Sequence, residues 1–122
     1  MGALGKLLRS IEGNRVAFTC PGCGSGHVLS VDVNASPHWT FNWDLEKPTF
    51  APSILTNGTQ FTEKGWQEYR DWEKSGYPDR KGQLFDSEAT VCHAFVTAGY
   101  IEFLTDSTHH LSGRTVPLPE FD

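Results

Sequence analysis

Cys20-Pro21-Gly22-Cys23 puts two thiols on one tight turn, and Cys92-His93 and His109-His110 add further thiol and imidazole groups far downstream. Two thiolates on a four-residue knuckle, met by a later Cys/His pair and another His, are the ligand supply of a tetrahedral Zn2+ site. Pro21 fixes one φ and the neighbouring glycines permit sharp reversal, so both sulfurs can aim at a point about 2.3 Å away. A disulfide scheme fits less well, because 3 cysteines leave one unpaired. A thioredoxin-like redox pair would need a βαβ surround that the flanking segments lack.

The same residues allow two kinds of protein. A zinc peptidase or amidase needs three protein ligands, an exchangeable water, a base and a donor for the oxyanion. Cys20, Cys23 and His93 or His109 could hold the metal; His27, Asp106 or Glu102 could be the base; Ser53, Thr49 or Asn42 could be the donor. Alternatively Cys20, Cys23, Cys92 and His109 close a Cys3His tetrahedron, and the metal serves folding in an interaction module. Adjacent residues of a strand face opposite ways, so either Cys92 or His93 is the ligand unless a bulge re-aims one. Plainer roles stand beside each assignment: a surface histidine for His27, a turn hydroxyl for Ser53, an Asx-turn for Asp106. His110 and His38 read as surface histidines.

Other metal and thiol chemistries fit poorly. A zinc deaminase needs His-x-Glu followed by Pro-Cys-x-x-Cys, whereas here the proline lies inside the cysteine pair. His-Glu-x-x-His is absent from the sequence, as is the His-x-His of a JAMM-type isopeptidase. A Cys92/His nucleophilic pair is conceivable, although a thiol beside a metal is more simply a ligand.

The 122 residues suit one β-rich domain over 1–122 that a metal could staple. A net charge of −5 with no basic run longer than Arg80-Lys81 argues against nucleic acid as partner. No apolar run is long enough to cross a bilayer, and the odd cysteine count suits a reducing compartment, so a cytoplasmic location is expected. The expected partner is a protein or peptide substrate, or a host protein.

The elements that would position these groups are mostly strands. Leu4, Leu7, Leu8 and Ile11 recur at helical spacing, yet Gly5 and the short span also allow a frayed arm. Arg15–Thr19, Val28–Val33 and His38–Asp44 read as strands around the knuckle. The two prolines of Pro48–Ser53 rule out a helix and favour an extended edge or loop. Trp66, Tyr69 and Trp72 predict one amphipathic helix over residues 62–75, inside an insertion at 62–87. Ala89–Thr105 reads as a hairpin turning at Ala98-Gly99, with Thr97 opposite Tyr100, Val96 opposite Ile101, Ala94 opposite Phe103 and Cys92 opposite Thr105. Residues 111–118 supply a last strand. The expected fold is α+β: a twisted antiparallel sheet with a zinc knuckle and one inserted helix.

With these motifs assembled, the chain resembles a family of small bacteriophage and bacterial proteins, over residues 16 to 119 apart from the insertion. The matching string is Cys20-Pro-x-Cys23-Gly, His27, Trp39-x-Phe41-Asn42, Pro48-Thr49-Phe50-x-Pro52-Ser53, Cys92-His93-x-Phe95 and Asp106-x-x-His109-x-Leu111-x-Gly113. Some members carry an "ammonia monooxygenase" label that this chain, without a membrane span or a His-rich copper site, does not support. More distant relatives lie beside ubiquitin-like conjugation genes and are regarded as zinc peptidases. The resemblance therefore implies zinc binding and a peptidase in which metal-activated water attacks an amide.

Overall fold

The computed structural model describes residues 2–121. The chain forms two compact units, Met1–Thr56 with Val91–Asp122, and Asn57–Thr90. Four strands make the first sheet in chain order: β1 (Gly2–Leu4), β2 (Leu8–Ile11), β3 (Arg15–Cys20) and β4 (Ser25–Ser30), all antiparallel. Five make the second, again in chain order: β5 (Thr40–Phe41), β6 (Phe50–Phe61), β7 (Ser87–Thr97), β8 (Tyr100–Phe103) and β9 (Thr115–Pro117). Its registers β5 with β6, β7 with β8 and β8 with β9 are antiparallel. The one helix among the described residues is α1 (Glu63–Lys74).

The N-terminal segment is neither helix nor loose arm. Gly5, at φ +66°, reverses the chain so that Leu4 pairs with Leu8, and Leu8 in turn pairs with Phe18. Leu8 is fully buried. A strand can bury Leu8 against a ready-made neighbour, which outweighs the helical spacing of the four apolar residues.

β3 sends Val16, Phe18 and Cys20 into the core, and β8 sends Ile101 and Phe103, while Tyr100 and Glu102 stay exposed. β7 alternates in the same way, with Cys92, Ala94 and Val96 buried and His93, Phe95 and Thr97 on the other face. The hairpin turn at Ala98-Gly99 has φ +50° and +83°, which suits a tight two-residue reversal. Its register matches the expected pairs as far as Ala94 with Phe103, whereas β8 ends there and the expected pair of Cys92 with Thr105 does not form.

Two expected strands are shorter. The His38–Asp44 segment keeps only Thr40–Phe41, because Asn42 Oδ1 accepts from the Asp44 and Thr49 N–H groups and Trp43 turns to φ +58°. The last strand keeps only Thr115–Pro117. Conversely, the double-proline segment enters β6, which starts at Phe50 and runs through Pro52 and Ser53.

In the second unit Thr62 caps α1, its hydroxyl accepting from Gly65 N–H at 3.1 Å. The ring of Trp66 meets Phe61 and Tyr69, Tyr69 meets Trp72, and Phe85 meets all of Phe61, Tyr69 and Trp72. The aromatic face of the helix thus packs within its own unit.

Leu8→Ala should lower stability by about 2–5 kcal/mol in urea unfolding, the cost of emptying a buried leucine site. A frayed arm would lose almost nothing.

Candidate active site and metal centre

Cys20 ends β3, Cys23 follows it on the knuckle, Cys92 comes from the buried face of β7, and His109 from the loop after β8. Their ligand atoms all lie within 4.8 Å of one another. The three thiols are free, with Cys20 and Cys92 sulfurs 3.8 Å apart. That is about the edge of a tetrahedron whose arms are 2.3 Å long, the usual metal–thiolate distance.

The electrostatics also fit a cation. Without one, the Cys92 thiol hydrogen-bonding to Cys20 holds the Cys20 pKa down at about 3, against the opposing effect of burial; the His27 ring and the Cys23 N–H, 3.4 Å away, help. Donating to that thiolate pushes the Cys92 thiol well up, and desolvation raises Cys23 although the residue is exposed overall. Thiols this close disfavour one another's ionisation. A divalent cation at the centre would let all three ionise.

His109 completes the set. Burial lowers its pKa, favouring the neutral ring that a metal requires, and its buried Nε2 has no hydrogen-bond partner. The ring packs on Gly22, where a Cβ would collide with the imidazole and come within 2.6 Å of Nδ1. Gly22 is thus needed for space, whereas Gly24, at φ +72°, is the knuckle residue that needs the left-handed backbone. Cys20, Cys23, Cys92 and His109 could hold a metal ion together.

His93 is absent from that cluster. On the opposite face of β7, its Nδ1 lies 3.0 and 3.2 Å from the carboxylate oxygens of Asp106, and its Nε2 lies 3.1 Å from Ser53 Oγ. A carboxylate accepts only, so Nδ1 carries the ring proton and Nε2 accepts from the serine hydroxyl. His93 is 23% exposed and Asp106 56%, which leaves the constellation reachable from solvent. Ser53 is half-buried on β6, and Trp39 Nε1 donates to its carbonyl at 3.3 Å. A hydroxyl, an imidazole and a carboxylate in this order are the parts of an activated nucleophile.

The family of bacterial ubiquitination-like system serine proteases, BubE, matches residues 3–104. The chain belongs to the BubE family. The match takes in Cys20, Cys23, Ser53, Cys92 and His93 and ends before Asp106 and His109. Its description names a serine protease, where the resemblance drawn from the sequence implied zinc peptidases. No curated protein and no solved structure matches this BubE chain.

The remaining candidates sit elsewhere. His27 is buried on β4 beside Phe18, with Nδ1 3.4 Å from Thr56 Oγ1, and neighbours Cys20 rather than Ser53. Thr49 Oγ1 accepts from Ala98 N–H, and the Asn42 amide is spent on Asp44, Thr49 and Lys47. Glu102 is exposed in β8 opposite Phe95. The Ser107 hydroxyl, which bonds the backbone of His93 on both sides, escaped the sequence reading, because nothing marks a serine as a backbone partner.

Gly22→Ala should weaken metal binding at least about tenfold in chelator competition, since the His109 ring must give way. Unchanged affinity would mean that His109 lies outside the coordination sphere.

Proposed function

We propose that this chain is a serine protease with Ser53 as nucleophile, His93 as general base and acid, and Asp106 as the group that orients His93. The observation that carries this reading is the double engagement of one imidazole, by Ser53 at Nε2 and by Asp106 at Nδ1. The family description supports the same chemistry.

Ser53 Oγ would attack the amide carbonyl carbon as its proton passes to His93 Nε2, forming a C–O bond and a tetrahedral intermediate. Collapse would break the C–N bond, with His93 returning the proton to the leaving amine. Water, deprotonated by His93, would then attack the acyl ester, releasing the carboxylic acid and restoring the Ser53 hydroxyl. Asp106 would steady the imidazolium in both halves.

The four-residue cluster supports a separate role for Zn2+, which suits thiolate and imidazole ligands in a tetrahedron. Bound there, zinc would supply folding free energy and neutralise the thiolates. Metal-activated water, the mechanism expected from the sequence, needs an open coordination position, whereas Cys20, Cys23, Cys92 and His109 together would fill all four.

The ubiquitination-like system in the family description supports a ubiquitin-like protein as the substrate class. Free thiols suit a cytoplasmic location, and no helix of the described residues is long and apolar enough to cross a membrane.

A fluorophosphonate should modify the zinc-loaded protein at Ser53, read by peptide mass spectrometry. Ser53→Ala should abolish the adduct, and His93→Ala should slow it by about 10³-fold or more, with metal content unchanged. A Ser53→Ala protein that cleaves substrate at the parent rate would overturn the proposal.

A further inference from the structure

We infer that Ser107 is a positioning residue for this hydrolysis: its hydroxyl replaces a rung of the β7–β8 ladder, so that the chain can bulge outward and bring Asp106 onto His93. The inference rests on the serine-protease reading of Ser53, His93 and Asp106.

The ladder between β7 and β8 is regular as far as Ala94 opposite Phe103. At the next rung Leu104 N–H still donates to His93 O, at 2.8 Å. The reciprocal bond is missing. His93 N–H donates instead to Ser107 Oγ at 3.0 Å, and Ser107 O–H donates back to His93 O at 3.1 Å. Leu104 O is released to accept from Ser107 N–H and from the Ser112 hydroxyl.

Continued regularly, the ladder would set residue 106 opposite Val91, on the diagonal from His93 and about 7–8 Å away. Val91 is instead taken by Thr108, whose N–H donates to Val91 O at 2.8 Å and whose Oγ1 accepts from Val91 N–H at 3.0 Å. Two extra residues are therefore accommodated against β7, and the bulge they make carries Asp106 to within 3.0 Å of His93 Nδ1. Ser107 is 7% exposed, so water has little access to replace its hydroxyl. Without that hydroxyl His93 N–H loses its acceptor, and the bulge loses the bond that fixes it beside the ring.

The test is fluorophosphonate inactivation of the zinc-loaded full chain, giving kinact and KI for the parent, Ser107→Ala, Asp106→Asn and the double variant. Ser107→Ala should lower kinact by about 10- to 100-fold with KI unchanged, as expected for a misplaced catalytic group. In the Asp106→Asn background the same substitution should cost less than about threefold, because Ser107 acts through Asp106. An unchanged kinact, or the full loss persisting in the Asp106→Asn background, would overturn the inference. If Ser107→Ala does not fold with full metal content, Ser107→Cys, close in size and a weaker hydrogen-bonding partner, is read in the same cycle against the same criterion. A parent protein left unmodified at Ser53 would instead overturn the serine-protease reading on which the inference stands.

Discussion

Successive side chains of a strand point to opposite faces, and on β7 that alternation separates Cys92 from His93. Cys92 faces the core, where it meets Cys20; His93 faces the other way, where it meets Ser53 and Asp106. One peptide bond thus joins a member of the thiol cluster to the proposed base. The loop after β8 repeats the arrangement, since Asp106 serves His93 while His109 lies with the cysteines. Whatever fixes β7 and this loop fixes both sites together.

Two things fix them. One is the set of hydrogen bonds from Ser107 and Thr108 to the backbone of Val91 and His93. The other is the thiol cluster, whose sulfurs cannot all ionise at this spacing without a cation. A metal bound there would tie β3, β7 and the 106–109 loop to a single point, a strong restraint in a chain of 122 residues. On the proposed reading, a metal there would be structural support for chemistry carried out by side chains on the far face of the same strand.

Much of this was legible because it is local. The Cys20–Cys23 knuckle, the Ala98-Gly99 turn and the hairpin register depend on neighbours within a few residues, and hairpin phase alone separated Cys92 from His93. Less was legible where distant partners decide. Leu4, Leu7, Leu8 and Ile11 fit a helix until β3 offers Leu8 a place opposite Phe18. Trp43 ends a strand-like run because Asn42 finds backbone partners at Asp44 and Thr49. Ser53 and His93 lie 40 residues apart, and no sequence period announces that they meet. Cysteine spacing drew attention to the metal, which gave Ser53 and Asp106 supporting roles beside it. The hydrogen bonds of His93 support a different chemistry for them.

The central claim is that metal and nucleophile occupy separate sites on the two faces of β7. A crystal structure of the fluorophosphonate-treated protein, with anomalous data at the zinc edge, tests it most directly. The expected result is a zinc peak among Cys20, Cys23, Cys92 and His109, with phosphorus bonded to Ser53 Oγ beside His93. Zinc ligated by His93, or an unmodified Ser53 beside a metal with an open coordination position, would contradict the claim and return the hydrolysis to the metal.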